Sequence, residues 1–482
     1  MPTSSHAPNI LMIVTDQQRR DTIGAYGSRI CQTPNVDRLA AHGMTFDYAF
    51  TPIGLCSPER SSLLTGVYPH THNVLTNNKL HPVRTELQPE QDVLVKGLKQ
   101  QGYRLGYSGK WHVNSTHDPT AFGFERYTSL NDYDAYRQAI GIPFAPEMHN
   151  YIVPTSGVDI AITPEQSQPA FLADQAMQMI RDFCADPDHP FFVRLDFHGP
   201  HAPTVIPEPY ASMYDPQSLP PWPNFEDTLE VKPVVQQIKR LHWGTDRMTW
   251  ADWQPLLAHY YGEISLIDAQ VGRVLDYLEQ IGERENTVVI YLSDHGDTMG
   301  AHKIWNKDYT MYDEIYRIPF IVDWPGVTAA GSRCDTYIQH GIDLMPTLLE
   351  IANASCPNNI DGQSLMPLLQ GEPQDRLREA FCEFHGCHMG LYSIRMLQTD
   401  RFKYVFYPND FDELYDHDND PYEMRNLARD PAYADVLRDM KQRMVGWMAR
   451  TKDHIYNEWV VYWLTEDKQQ ALEAPGRTNT AW

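Results

Sequence analysis

The segment Leu55-Cys56-Ser57-Pro58-Glu59-Arg60, continuing as Ser61-Ser62-Leu63-Leu64-Thr65-Gly66, holds the residue types most suited to chemistry. Ser57 and Pro58 open a short helix and Gly66 ends it. Cys56 then stands at a helix N-terminus, where free amides favour negative charge. Arg60, one turn on, can point at the same anion. A lone cysteine is usually a small buried hydrophobe. As a conventional thiolate nucleophile it would need a histidine base, and His198 or His201 could serve. Four further polar groups end apolar runs: Asp16-Gln17, Lys110-Trp111-His112, His198-Gly199-Pro200-His201 and Asp294-His295-Gly296-Asp297. In parallel α/β sheets, ligands bind beyond the carboxyl ends of the strands. An aspartate in such a place often merely caps the next helix, but four such ends argue for one shared site. Asp16, Gln17, Asp294 and His295 offer carboxylate, amide and imidazole ligands with no cysteine pair. That set suits Ca²⁺, Mg²⁺ or Mn²⁺ better than a structural zinc.

Charge points the same way. The 482 residues carry 39 Lys and Arg against 63 Asp and Glu, a net charge of −24. Such a polyanion repels nucleic acid and anionic membranes, and no basic cluster offsets it. An anionic substrate would need buried cations or a metal to reverse the field locally. Apolar residues at 42% and charged residues at 21% are ordinary globular usage, which excludes a disordered, collagen-like or coiled-coil chain. The run Ile10 to Val14 is far short of the roughly 20 residues that span a bilayer. Met1 to Asn9 has neither the basic flank nor the apolar core of a signal peptide. Seven scattered cysteines suggest no disulfide scaffold, and the expected setting is reducing and cytoplasmic.

These polar ends need elements to hold them. Ile10 to Val14 reads as a buried strand. Thr33 caps a helix that Pro34 opens and Gly43 ends. Asp92 to Gln101 reads as helix, Tyr103 to Ser108 as strand, Phe171 to Cys184 as helix and Phe191 to Phe197 as strand. Ile264, Ile267, Val271, Val274, Leu275 and Leu278 make one apolar helical face. Thr287 to Leu292 and Ile318 to Val322 read as strands, and Asp343 to Ile351 as helix. The alternation implies an α/β fold, a large, mainly parallel sheet between helices. Eight prolines between Gly199 and Asn224 forbid regular structure there, and the Trp- and Pro-rich stretch to Trp253 is an excursion over one end of the sheet. Residues 1–372 form the catalytic domain and 373–482 a smaller α+β domain with a late helix, Tyr433 to Met448. Its aromatic tail (Trp459, Tyr462, Trp463, Trp482) suits packing on a second copy or on its own chain. The acidic run Asp416 to Asp420 lacks the Gly and Glu of an EF-hand loop and reads as a solvated turn.

Cys56-Ser57-Pro58-Glu59-Arg60 matches the Cys-x-Pro-x-Arg signature of the type I sulfatases, in the alkaline phosphatase superfamily, and the chain resembles that family over most of its length. The likeness takes in Asn9 to Asp16, Thr33-Pro34-Asn35-Val36-Asp37-Arg38-Leu39, Leu64-Thr65-Gly66 and Gly109-Lys110-Trp111-His112. It continues through Pro200-His201-Ala202-Pro203, Ser293-Asp294-His295-Gly296-Asp297, Lys307 and Glu413-Leu414-Tyr415-Asp416. The resemblance implies that a dedicated formylglycine-generating enzyme oxidises Cys56 to formylglycine, hydrated to a gem-diol. One hydroxyl attacks sulfur. The other then loses its proton to His112, and sulfate leaves. Arg60 would hold the hydrated aldehyde, Lys110 and Lys307 the sulfate oxygens, and His201 would protonate the leaving alcohol with His198 nearby. Asp16, Gln17, Asp294, His295 and residue 56 itself would bind one divalent metal, Ca²⁺ before Mg²⁺ or Mn²⁺.

Two positions depart from many members: Gln17 replaces a second Asp, and His295 replaces Asn. The phosphonate monoester hydrolase branch resembles the chain at both, whereas Lys110 and His112 are sulfatase-type. The leading expectation is therefore hydrolysis of small anionic sulfate monoesters, with phosphonate monoesters or phosphodiesters second. A non-catalytic anion-binding protein that keeps Cys56 as a thiol is a third possibility, which the intact lysines and metal ligands oppose. Glu59 has no role assignable from sequence, and neither the alcohol nor the oligomeric state is fixed.

Overall fold

The computed structural model describes residues 7–77, 86–142, 147–149 and 156–466, the three residues 147–149 as backbone only; the first six residues and Trp482 lie outside this set. Asn9–Asp16 is the central strand, flanked on both sides by parallel neighbours, Thr287–Ser293 and Phe191–Pro200. Eight strands make up the sheet. Their order is Ser332–Cys334, Met44–Phe46, Phe320–Asp323, Thr287–Ser293, Asn9–Asp16, Phe191–Pro200, Arg104–Gly109 and Arg126–Thr128. Phe320–Asp323 runs antiparallel to both its neighbours, so the sheet is mixed although most pairings are parallel.

The pleat explains the continuous apolar run. Ile10, Met12 and Val14 enter a core on one face with Leu63, Leu94 and Leu348, while Leu11 and Ile13 enter the opposite core with Leu172, Ile180 and Val271. Side chains alternate between faces in a strand, and both faces here are covered. The second core is roofed by Gln168–Cys184 and by the helix Trp250–Gln280, which contributes Ile267, Val271, Val274, Leu275 and Leu278. Full burial of each such side chain stabilises by about 1.5–3 kcal/mol.

Several local expectations need correction. Thr33 does not cap its helix, Pro34–His42. Asp268 of the long helix does so, accepting from the backbone N–H groups of Asn35 and Val36 at 3.1 and 2.8 Å. A carboxylate is the stronger acceptor for these free amides, and the Thr33 hydroxyl takes the Gly24 N–H instead. The proline-rich excursion contains a short strand, Thr204–Ile206, and a complete helix, Val234–Trp243. The long helix starts at Trp250, with Thr249 and Asp252 forming a capping box, well before its regular apolar face begins.

Beyond residue 379 the strands Ala380–Cys387, Gly390–Gln398, Phe402–Phe406 and Glu413–Asp416 form an antiparallel sheet, followed by the helices Ala434–Thr451 and Glu458–Thr465. This sheet shares a core with the segment ahead of Cys56: Phe50, Ile53 and Leu55 pack with Ala380, Cys382 and Phe384. The Glu383 amide donates to Pro52 O at 2.9 Å. Trp459 and Trp463 stand 77% and 65% exposed. No described helix is long and apolar enough to cross a membrane, and all seven cysteines are free thiols.

Candidate active site

Because the central strands are parallel and in register, with Thr15 opposite Ser293 and Gly109 opposite Asp196, their carboxyl ends converge. A register shift between Val14 and Asp16 re-aims Asp16, a device common beside active sites. Gly109, at φ 121°, brings its backbone so close to Asp196 that a Cβ would lie 1.8 Å from Asp196 O. That approach sets the start of the Lys110-Trp111-His112 turn, where the Lys110 amide donates to Asp196 O at 2.9 Å.

Cys56 is the first residue of the helix Cys56–Thr65, and every residue of that helix is buried. A buried helix this polar needs partners for its side chains. Ser61 and Thr65 donate back to the carbonyls of Ser57 and Ser61, and Ser62 meets His72 Nε2 at 3.0 Å. Glu59, the residue left without a role, lies against His340, with Nε2 2.8 Å from Oε1. Gly66 ends the helix in the left-handed conformation, at φ 69°.

Arg60 ties three strand ends together. Its guanidinium donates to Asp294 Oδ2 at 3.1 Å, Asp196 Oδ2 at 2.8 Å, Lys110 O at 2.8 Å and Asp16 Oδ2 at 3.4 Å. All these side chains except that of Lys110 are fully buried. Lys110 Nζ pairs with Asp16 Oδ2 and lies 3.7 Å from Cys56 Sγ. Burial alone would raise the Cys56 pKa, but Lys110, Lys307 and His295 outweigh it and hold the thiol well below its ordinary value. His112 and His201 both lie against the sulfur. His112 Nδ1 is buried with no hydrogen-bond partner among the described residues. His201 Nδ1 faces Ala202 O at 2.6 Å, so that nitrogen must donate and Nε2 carries the lone pair. Burial, then Lys307 and Lys110, lower its pKa. His198 packs on His201, with ring centroids 5.2 Å apart.

Donor atoms of Asp16, Cys56, Asp294 and His295 all lie within 4.8 Å of one another, each residue buried. His295 Nδ1 faces Gly296 O at 3.0 Å, which fixes the proton there and leaves Nε2 free toward the cluster, 3.2 Å from Cys56 Sγ. A carbonyl orienting a ligand histidine is the usual arrangement around a bound metal. Two carboxylates, an imidazole lone pair and the atom at position 56 therefore fit one divalent cation. Gln17 borders this set. Its amide oxygen accepts from Lys307 Nζ at 2.6 Å, and its Nε2 donates to Asp297 and to Asn306.

The structure thus brings Asp16, Gln17, Cys56, Arg60, Lys110, His112, His198, His201, Asp294, His295 and Lys307 to one end of the sheet. Three supporting residues were not assigned from sequence. Asp196 gathers Arg60, Arg194 and the Tyr107 hydroxyl, and its signal was a charged pair, Arg194 and Asp196, inside an apolar strand. Asp297 accepts from the Met299 and Asn306 amides. Asn306 receives the Lys307 amide at 3.0 Å.

A Sulfatase family model matches residues 8–354, and one described as N-sulphoglucosamine sulphohydrolase, C-terminal, matches residues 300–450. The uncharacterized sulfatase YidJ of Escherichia coli (strain K12) is 31% identical over 461 residues, covering 92% of this chain and 88% of that one. PehA of Trinickia caryophylli, a multifunctional alkaline phosphatase superfamily protein, is 30% identical over 501 residues, covering 91% and 95%. The solved phosphonate monoester hydrolase of Agrobacterium radiobacter superposes with a TM-score of 0.77 at 26% identity, covering 93% of this chain and 97% of that one. With the fold, the strand-end cluster and the family match in agreement, the chain belongs to the sulfatase family of the alkaline phosphatase superfamily and is a sulfuric ester hydrolase.

Proposed function

We propose that the protein hydrolyses sulfate monoesters to an alcohol and inorganic sulfate at the cluster around Cys56, after a formylglycine-generating enzyme has matured that residue. The observation that carries the reading is the company of Cys56. It begins a helix, Lys110 reaches to 3.7 Å of its sulfur, and His295 Nε2 lies 3.2 Å away. Asp16, Asp294, His295 and residue 56, with Gln17 at the border, would hold one divalent metal, Ca²⁺ being the first choice for so oxygen-rich a set. Bound there, the metal and the matured side chain would supply the charge neutralisation and the nucleophile.

The chain's own residues do the rest. Lys110 and Lys307 bind sulfate oxygens and stabilise the charge that develops on them. The helix N-terminus adds its positive end at residue 56. Arg60 holds Asp16, Asp196 and Asp294 in register, so the anionic side of the site does not splay. His201 gives its proton to the departing oxygen. Its pKa is low in the free site because of burial and two lysines, and an arriving sulfate anion offsets those lysines and favours the protonated form. His112, whose side chain hydrogen-bonds residue 56, takes the proton that must leave the nucleophile's side. We also place the boundary of the catalytic domain near residue 372, and read Trp459, Tyr462 and Trp463 as the contact of a homo-oligomer, which sedimentation of a Trp463→Ser variant would test.

Gln17, His295 and the likeness to the Agrobacterium enzyme support a second reading, phosphonate monoester or phosphodiester hydrolysis with the same machinery. Sulfate, phosphonate and phosphodiester esters of one phenol, assayed side by side on matured protein, separate the two. The sulfate ester is expected to give the highest kcat/KM; a clear preference for the phosphonate would reverse the assignment.

A further inference from the structure

Asp308, Cys387 and His388 stand together outside the site described above. Asp308 follows Lys307, whereas Cys387 ends the strand Ala380–Cys387 and His388 begins the two-residue turn before Gly390. Tyr309 fixes that turn from the Lys307 side. Its hydroxyl accepts from the amides of Cys387 and Met389, both at 3.0 Å, and donates to Gly390 O at 2.8 Å. Asp308 and Cys387 are buried, while the His388 side chain is 47% exposed. The group is thus held from inside and open to water on one side.

The three side chains converge. His388 Nδ1 lies 3.0 Å from Asp308 Oδ2 and 3.4 Å from Cys387 Sγ, so one hydrogen on Nδ1 serves both acceptors. Donor atoms of all three residues fall within 4.8 Å of one another. Tetrahedral zinc at its usual bond lengths would set N···O at about 3.3 Å and N···S at about 3.6 Å. The observed separations need to open by only about 0.2–0.3 Å to reach those values. Lys239 Nζ, 3.1 Å from Asp308 Oδ1, leaves Oδ2 to His388 and supplies the outer partner that orients a ligating carboxylate. Trp243 packs edge-on against the imidazole, with centroids 5.4 Å apart.

Two other groups of ligand-type residues are already filled by the chain itself. Arg395 pairs with both Glu383 and Asp453 beside His70, and Lys403 with both Asp313 and Glu423 beside His417. The Asp308 group differs also in kind. A thiolate, an imidazole and one carboxylate suit zinc, whereas the oxygen-rich cluster at the strand ends suits Ca²⁺.

We propose that Asp308, Cys387 and His388 bind a second metal ion, Zn²⁺ by class, with water in the fourth position, clamping the Lys307 loop to the small antiparallel sheet. The thiol proton and the Nδ1 proton leave to solvent as the ion enters. The site is independent of which ester the enzyme cleaves.

The test titrates Co²⁺, then Zn²⁺, into the full-length matured protein loaded with Ca²⁺. Cobalt held by a thiolate shows a near-ultraviolet charge-transfer band, and zinc should displace it. The band should appear in the wild type and equally in Cys56→Ser, which carries no thiol at the strand-end cluster. Cys387→Ser should lose the band. His388→Gln should bind zinc at least about 10²-fold more weakly, since removing even an outer partner costs about 10–100-fold. Its side chain is half exposed, so turnover of 4-nitrophenyl sulfate without zinc should persist and report that the variant is folded. Zinc should raise the melting temperature of the wild type and of neither ligand variant. Absence of the band in the wild type at saturating cobalt would overturn the proposal. So would a band that survives Cys387→Ser, or unchanged zinc affinity in active His388→Gln. A band that vanishes in Cys56→Ser would overturn it too, by placing the ion in the strand-end cluster.

Discussion

Lys239→Met should both destabilise the protein and slow it. Lys239 lies on the helix Val234–Trp243 with its side chain fully buried. Its ammonium donates to Asn306 O at 3.2 Å and to Asp308 O, and pairs with Asp308 Oδ1 at 3.1 Å. Lys307 sits between the two residues so held. Asn306 and Tyr309 have φ of 71° and 59°, backbone that costs a non-glycine residue about 1–3 kcal/mol and persists only when its surroundings enforce it. Methionine keeps the length and removes the charge. Breaking a buried pair from one side costs about 3–5 kcal/mol. The lower end applies here, because His388 Nδ1 still faces Asp308 Oδ2 at 3.0 Å. Without its tether Lys307 shifts, and a displacement of about 1 Å near the reacting group costs roughly 10²-fold in kcat. Urea unfolding and kcat on a saturating aryl sulfate measure the two effects separately. Adding Asp308→Asn should restore much of the stability, since no carboxylate is stranded, but not the rate. A loss below about 1 kcal/mol with unchanged kcat would refute the tether.

The remaining predictions concern protons and metal. His70 Nδ1 meets Glu383 Oε2 at 2.7 Å and Nε2 meets Thr451 O at 2.8 Å, both acceptors, so the ring is an imidazolium. Burial lowers its pKa, but Glu383 outweighs burial and raises it from 6.5 to about 9. A raised folded-state pKa gives stability that is complete below pH 6.5 and lost as pH rises through about 9, here roughly 3 kcal/mol. His70→Ala should remove that slope from unfolding curves between these pH values; an unchanged slope would contradict it. His201→Ala should be nearly silent on 4-nitrophenyl sulfate and cost about 10²–10⁴-fold on an alkyl sulfate, whose alkoxide needs a proton to leave. Equal losses on both would make His201 a binding group. Exhaustive chelation should lower the melting temperature as well as turnover, because Asp16 and Asp294 then face each other with only Arg60 and Lys110 to offset their charge, and Ca²⁺ should restore both; a chelated protein unchanged in both respects would exclude the metal site.

Much of this molecule was readable before its coordinates. The strand ends at Asp16 and Asp294 were visible because a doubly covered parallel strand is an unbroken apolar run there, and a polar residue at its end stands out, whereas the strands that carry Lys110 and His198 are already broken by Arg104 and by Arg194 and Asp196. Cys56 was visible because Pro58 and Gly66 bracket its helix. What stayed hidden depends on tertiary partners. The capping of Pro34–His42 by Asp268 joins residues far apart in sequence, and local pattern pointed to Thr33 instead. The helix Val234–Trp243 turns Gln236 and Lys239 inward and leaves Val234, Ile238 and Leu241 exposed, the reverse of the pattern that marks a surface helix. Glu59 looked anomalous in sequence because the group it lies against, His340, comes from a helix nearly three hundred residues on.

The central claim is that position 56, once matured, is what attacks sulfur. Preparations made with and without the formylglycine-generating enzyme, and mixtures of them, give a graded series. Mass spectrometry of the tryptic peptide from Leu39 to Arg60 reports the converted fraction, by loss of the thiol sulfur and gain of oxygen. Turnover of an aryl sulfate measured on the same samples should rise in proportion to that fraction and extrapolate to zero for pure thiol. Full turnover from protein whose Cys56 is homogeneously unmodified would contradict the account.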